Sequence, residues 1–270
     1  MGVSTMSDYE RNIATSPFGQ TLGRAGTVAV DEGLRAYMLR IYNFMILGLA
    51  ITGLAALGTY MLSVTTDPSL AALKMRDGLM LTAFGKALFV SPLKWVVIFA
   101  PLGLVFLLSF GIERMRPAMA QIVFWIYAAL VGISLGSIFM VFTHTSIVRV
   151  FFITAASFGA LSLWGYTTQR DLTGMGSFLL MGLFGVILAS LVNLFMASSA
   201  LQFAISVIGV VVFAGLTAWD TQRLKNEYIY GYASQGGVAA ERAAITGALS
   251  LYLNFINLFT LLLQLLGQRD

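Results

Sequence analysis

In LTAWDTQRLK, Leu216 to Lys225, a carboxylate closes an apolar run that begins near Leu201: Asp220, with Gln222 and Arg223 directly behind it. A carboxylate at the edge of such a segment can hold a guanidinium, attract a cation or exchange a proton. Burial raises a carboxyl pKa and a nearby guanidinium lowers it, so a group of this kind can be made to titrate as a switch. Two other stretches carry matching groups. ERMRP supplies Arg114 and Arg116 at the end of an earlier apolar run, and LYLNFINLF supplies Asn254 and Asn257, which share one side of a helix at i and i+3. Asn193 sits in a further apolar run and reads as an interhelical hydrogen bond ahead of a pathway residue. A static pairing of Asp220 with Arg114, Arg116 or Arg223, fixing helix ends and nothing more, is as good a reading as a gate.

The elements that position these groups follow from composition. Hydrophobic residues make up 58% of the chain and charged residues only 10%, against roughly 25% charged in soluble domains. This is the composition of an all-α integral membrane protein, whose first partner is the lipid bilayer. The 16 basic and 12 acidic residues form no block of like charge, which excludes a nucleic-acid surface. With no Cys and one His, His144, thiolate chemistry and multi-His metal sites are excluded too. Residues 1–30 lack the apolar core of a secretory signal and read as a flexible polar tail, leaving 31–270 as the transmembrane domain.

A span needs about 20 mostly apolar residues. The expected spans are Ile41 to Val64, Lys94 to Ile112, Ala118 to Phe142, Ile147 to Tyr166, Met175 to Met196, Leu201 to Leu224 and Ala243 to Gly267, seven in all. Pro117 marks the break after the second, and THTS between the third and fourth permits only an antiparallel pair. A cytosolic N-terminus puts Arg35, Arg40, Arg114, Arg116, Arg170, Arg223, Lys225 and Arg242 inside, as the positive-inside tendency favours. Lys74, Arg76, Lys86 and Lys94 then fall outside, in or beside a connector expected to lie along the interface. Gly132 and Gly136, and Gly185 with Ala189, read as small-residue helix contacts. Catalytic constellations are missing: there is no HExxH, no GxSxG and no second Asp in the late spans, and no Lys in the last for a retinal Schiff base. A non-enzymatic protein without a resident cofactor is expected.

Four segments in order, AQIVFWIYAALVGISLGSIF, SFGALSLWGYTTQRDLTGMGSFLLMGL, AWDTQRLK and LYLNFINLFTLLLQLLG, resemble the Bax inhibitor-1 family, in particular its bacterial branch, from about Asp31 to Gly267. The resemblance implies a seven-helix fold with the last helix central and the other six around it. It implies a multi-pass inner-membrane protein, and a calcium or other cation leak controlled by pH, with calcium as a transient guest near Asp220. The family's switch is an aspartate pair with an arginine latch from the second helix. Asp220 matches the first aspartate, whereas Asn254 stands at the second, so a proton-sharing dyad is not available and weaker pH sensing is expected. Arg114 is the first choice of latch and Arg116 the second; Asn257, Asn193, Gln222 and Arg223 are secondary pore or packing residues. The resemblance also admits a non-conducting regulator of other membrane proteins, such as a membrane-anchored ATP-dependent protease, with the N-terminal tail as its handle. One geometric question stays open: Asp220 lies three residues before Arg223, whereas Asn254 lies far along the seventh span from Arg242, so the two need not share a depth.

Overall fold

Apolar runs without polar partners for their backbone must bond internally when they enter hydrocarbon, and helices do this within one segment. The computed structural model, which describes residues 17–74, 80–112, 115–234 and 237–269, is accordingly built of long helices. They are α1 (Pro17–Ser63), α2 (Ala83–Phe89), α3 (Leu93–Gly111), α4 (Pro117–Leu135), α5 (His144–Thr167), α6 (Thr173–Met196), α7 (Ser199–Tyr230) and α8 (Gly237–Leu266). Six of the helical stretches are long and apolar enough to cross a membrane alone, and α2 with α3, bent by 60° at the break between them, makes a seventh candidate. The protein is thus a multi-pass membrane protein. Of the segment expected to be a polar tail, residues 1–16 lie outside the described residues, and α1 starts at Pro17.

Local chemistry sets several helix ends. Thr82, Thr143 and Ser198 each accept a backbone N–H of the first turn of α2, α5 and α7, the usual N-cap arrangement. Pro117 opens α4 at a position where its missing N–H costs nothing. The second crossing differs from the single helix expected from Lys94: Ser91 and Pro92 break it, and Lys86 belongs to the short α2. Before it, Val64–Thr65 (β1), Leu73–Lys74 (β2) and Met80–Leu81 (β3) form a small antiparallel sheet in the order β1-β3-β2. In the connector between α5 and α6, Asp171 accepts the Thr173 hydroxyl and backbone N–H, which hold its carboxyl below the usual range.

The last helix is the most buried of the spans. It packs directly on α1, α4, α5 and α7, while α3 leans on α4 and α6 on α7. Leu108 of α3 and Ile112 at its C-cap, with Leu179 of α6, reach the same cores as α8, so the outer helices also close around it. Two of the expected glycine contacts are present: a Cβ on Gly132 would collide with the Thr52 carbonyl oxygen of α1, and one on Gly136 would press Thr59. The third is not, because a Cβ on Gly185 would meet nothing within 4 Å.

Candidate functional site at one end of the bundle

The two helices that carry Asp220 and Asn254 run past the expected limits of their spans. α7 continues to Tyr230 and α8 begins at Gly237 instead of Ala243, and this overlap brings the two residues to one depth. Asp220 is 4% exposed. Its Oδ2 accepts the Asn254 amide at 2.7 Å and the Ser250 hydroxyl at 2.9 Å, and its Oδ1 pairs with Arg223 Nη2 at 2.7 Å. A buried carboxylate is stable only when its charge and lone pairs are met in this way. Ser250 precedes Asn254 by one helical turn, so both donors come from one face of α8. Arg223 also donates to Ser250 Oγ at 3.3 Å and lies 5.0 Å over the Trp219 ring.

Arg223 faces two ways. Besides Asp220, it borders a cavity of about 390 Å³ that it shares with Glu227 and Thr246, and with Arg242 on the opposite wall. Glu227 approaches Arg223 Nε at 3.7 Å. The guanidinium therefore stands between a polar vestibule and the buried carboxylate. Beyond Asp220, Phe213, Leu216, Leu258 and Leu261 form an apolar cluster, so the interior is shut above the site. Fully buried hydroxyls lie close by: Thr221 Oγ1 meets Ser162 Oγ at 2.9 Å, and Ser162 meets the Tyr42 hydroxyl of α1.

The remaining expected residues fall in different places. Arg116 is an exposed N-cap residue of α4, and no ion pair joins it to Asp220 among the described residues. Arg114 lies outside the described residues. Gln222 is a clamp: its Oε1 accepts Leu172 N–H at 2.8 Å and its Nε2 donates to the Arg170 carbonyl at 2.7 Å, tying the connector between α5 and α6 to α7. Asn257 is spent on its own helix, donating to the Leu253 carbonyl. Asn193 is not at mid-depth but in the last turn of α6, where it donates to Gln202 of α7 and accepts Ser198 N–H. That turn needs help, because Ala197 takes a left-handed conformation at φ 49°. Ser250 was missed from sequence, although its position one turn before Asn254 is the signal that finds it.

Six or seven crossings, the last of them the most buried, with one carboxylate held between the last two, define a class of multi-pass membrane protein with an ionisable interior site. Comparison with known proteins places the chain within that class. Residues 34–270 match the family described as inhibitor of apoptosis-promoting Bax1, and the chain belongs to it. It is 44% identical over 264 residues to an uncharacterized protein of Rickettsia prowazekii, covering 98% of this chain and 99% of that one. An uncharacterized protein of Caulobacter vibrioides is also 44% identical over 264 residues, with 97% and 98% covered. The inner membrane protein YbhL of Escherichia coli strain K12 is 42% identical over 239 residues, covering 88% of this chain and 93% of that one.

Proposed function

We propose that the chain is a gated leak pathway for calcium or a similar cation, and not an enzyme, with Asp220 as the group that attracts the ion and senses protons. The observation that carries this reading is the buried Asp220 carboxylate shared between Arg223 of its own helix and Asn254 and Ser250 of the central helix. Among the described residues Arg223 takes the latch role; Arg114, the first choice from sequence, lies outside them. Protonation of Asp220 removes the charge that holds Arg223, frees the guanidinium toward Glu227 and the vestibule, and loosens α7 from α8. Arg223 and Glu227 on α7, with Arg242 on α8, are the charged groups that set this balance. Because Asn254 cannot ionise, only one carboxylate takes part in the switch, and the pH sensing is weaker than a pair would give.

Calcium takes six to eight oxygen ligands, whereas no cluster of three or more His, Cys, Asp or Glu suited to a metal occurs among the described residues. In this reading the cation passes Asp220 as a transient guest. The inner membrane name of the Escherichia coli relative supports a place in that membrane, and the basic residues support a cytosolic N-terminus and a cytosolic Asp220 end.

The test is flux from calcium-loaded liposomes. Asp220→Asn should change the leak and remove what pH dependence the wild type has. A steep wild-type response across the neutral range that survives Asp220→Asn would sink this reading. Zero flux at every pH, with loss of a protein partner when the tail is removed, would instead favour the regulator.

A further inference from the structure

Helices α1 and α5 both pack on α8 and, apart from the Tyr42–Ser162 hydrogen bond that joins them, leave a gap between themselves. The gap is a groove of about 1060 Å³, walled by α1 around Met45 and Leu49, by α5 around Phe158 and Gly159, and floored by Phe255 of α8. A second cavity of about 460 Å³ shares Leu49, Gly53, Phe151 and Phe255 with it and carries the groove on toward His144. From Arg35 to Leu54, the two ends of its α1 wall, the helix rises roughly 28 Å at 1.5 Å per residue, about the thickness of a bilayer's hydrocarbon core. Its lip carries the outward-facing Leu39, Ile46, Leu54 and Leu163, so the groove opens sideways to lipid and not to water.

Glycine in a membrane helix ordinarily lets a neighbouring helix come close. Gly53 and Gly159, both on the groove wall, do the opposite: a Cβ on either would meet nothing within 4 Å. No protein group fills the space they leave, and hydrocarbon beside such a space gains dispersion contacts by entering it. An extended acyl chain is slim enough to lie along such a slot and fill it; a second protein helix is the rival occupant that the test below separates from it.

The groove also has a polar mouth. Arg35 lines it, is exposed, and makes no hydrogen bond or ion pair among the described residues. Tyr166 lies on the same lining, and its carbonyl holds the Lys225 ammonium at 2.8 Å. Arg35 thus stands at one end of an apolar slot, with Lys225 held at the backbone of another of its lining residues. Guanidinium and phosphate oxygens match in geometry as well as charge. We propose that this groove binds one anionic phospholipid from the leaflet on the Asp220 side, with an acyl chain between α1 and α5 and its phosphate on Arg35.

The test uses the full chain in bilayer discs of mixed phosphatidylglycerol and phosphatidylcholine, released into mild detergent and weighed intact by native mass spectrometry. The wild type should retain one phosphatidylglycerol severalfold more often than phosphatidylcholine. Gly159→Leu should lower retention of both lipids severalfold by filling the slot, and Arg35→Gln should erase the headgroup preference while leaving retention in place. Arg35 is exposed, so its substitution stays informative even if Gly159→Leu fails to fold. Equal retention of the two lipids by the wild type, or a preference unchanged by Arg35→Gln, would overturn the proposal. So would disulfide pairing between two copies of Gly159→Cys in this cysteine-free chain, which would show that a second protein occupies the groove.

Discussion

The interface between α7 and α8 is fastened at both ends by side-chain hydrogen bonds, but with different chemistry. At one end a carboxylate and a guanidinium carry the contact, with Asn254 and Ser250 as donors. At the other, only neutral groups take part: Gln202 donates to Gln264, Ser206 donates to the same oxygen at 3.0 Å, and Asn193 donates to Gln202. Amides and hydroxyls hold the same geometry at any physiological pH, whereas a buried carboxylate changes its bonding when it gains a proton. The charged end is thus the one whose contacts depend on charge, and the neutral end the one whose contacts do not.

Removing the charge should separate the ends most. Asp220→Ala leaves Asn254 and Ser250 without their acceptor and Arg223 without its anion. It is expected to destabilise the fold by about 3 kcal/mol, less than for a fully buried pair because Arg223 is partly exposed. Thermal unfolding in detergent, where the midpoint should drop well below that of any far-end variant, checks this. Asn254→Leu removes one hydrogen bond to a charged acceptor, with a loss of about 2 kcal/mol by the same measurement.

Asn254→Asp sharpens the comparison differently. Two carboxylates in this contact repel each other when both are ionised. Acid relieves that repulsion, so the variant should be less stable at higher pH than at lower. Unfolding midpoints measured against pH should show that slope in Asn254→Asp and a flatter line in the wild type. At the neutral end, Gln264→Ala should cost about 1 kcal/mol, with no change in pH slope; a new slope there would erase the distinction between the ends. The smallest effect belongs to the exposed Arg40–Glu241 pair, 3.1 Å apart. Glu241→Gln should move the midpoint by the equivalent of about 0.5 kcal/mol or less, and less still in high salt.

The spans were legible because hydrocarbon imposes length and composition on the chain, and the Gly132 and Gly136 contacts because small residues one turn apart have little other use in lipid. Asp220 and its neighbour Asn254 were legible as polar groups out of place. The depth at which they meet was not: Lys225 and Arg242 mark where hydrophobicity ends, while α7 and α8 continue as helix past both. Arg223 could be listed as a partner of Asp220 from its i,i+3 spacing, but spacing alone does not choose between a guanidinium on the same helix and one from another. The β1-β3-β2 sheet was invisible because strands of two residues carry no period. Asn193 misled for a similar reason, since an apolar run continuing into a turn looks like the middle of a span.

The chain's last residues bear on how such a bundle can open. After α8, Thr143 N–H donates to the Gln268 carbonyl at 3.0 Å, Gln268 N–H donates to Ser146 at 2.9 Å, and Arg269 stacks over Phe142. The central helix is therefore an axle seated in two hubs, one at Asp220 and one at the loop before α5. An axle held at both ends cannot work as a piston, sliding along the membrane normal to uncover a path. On the gating proposed above, opening comes from the rim: α7 swings away where the carboxylate lets go, with the amide-bonded end as its pivot.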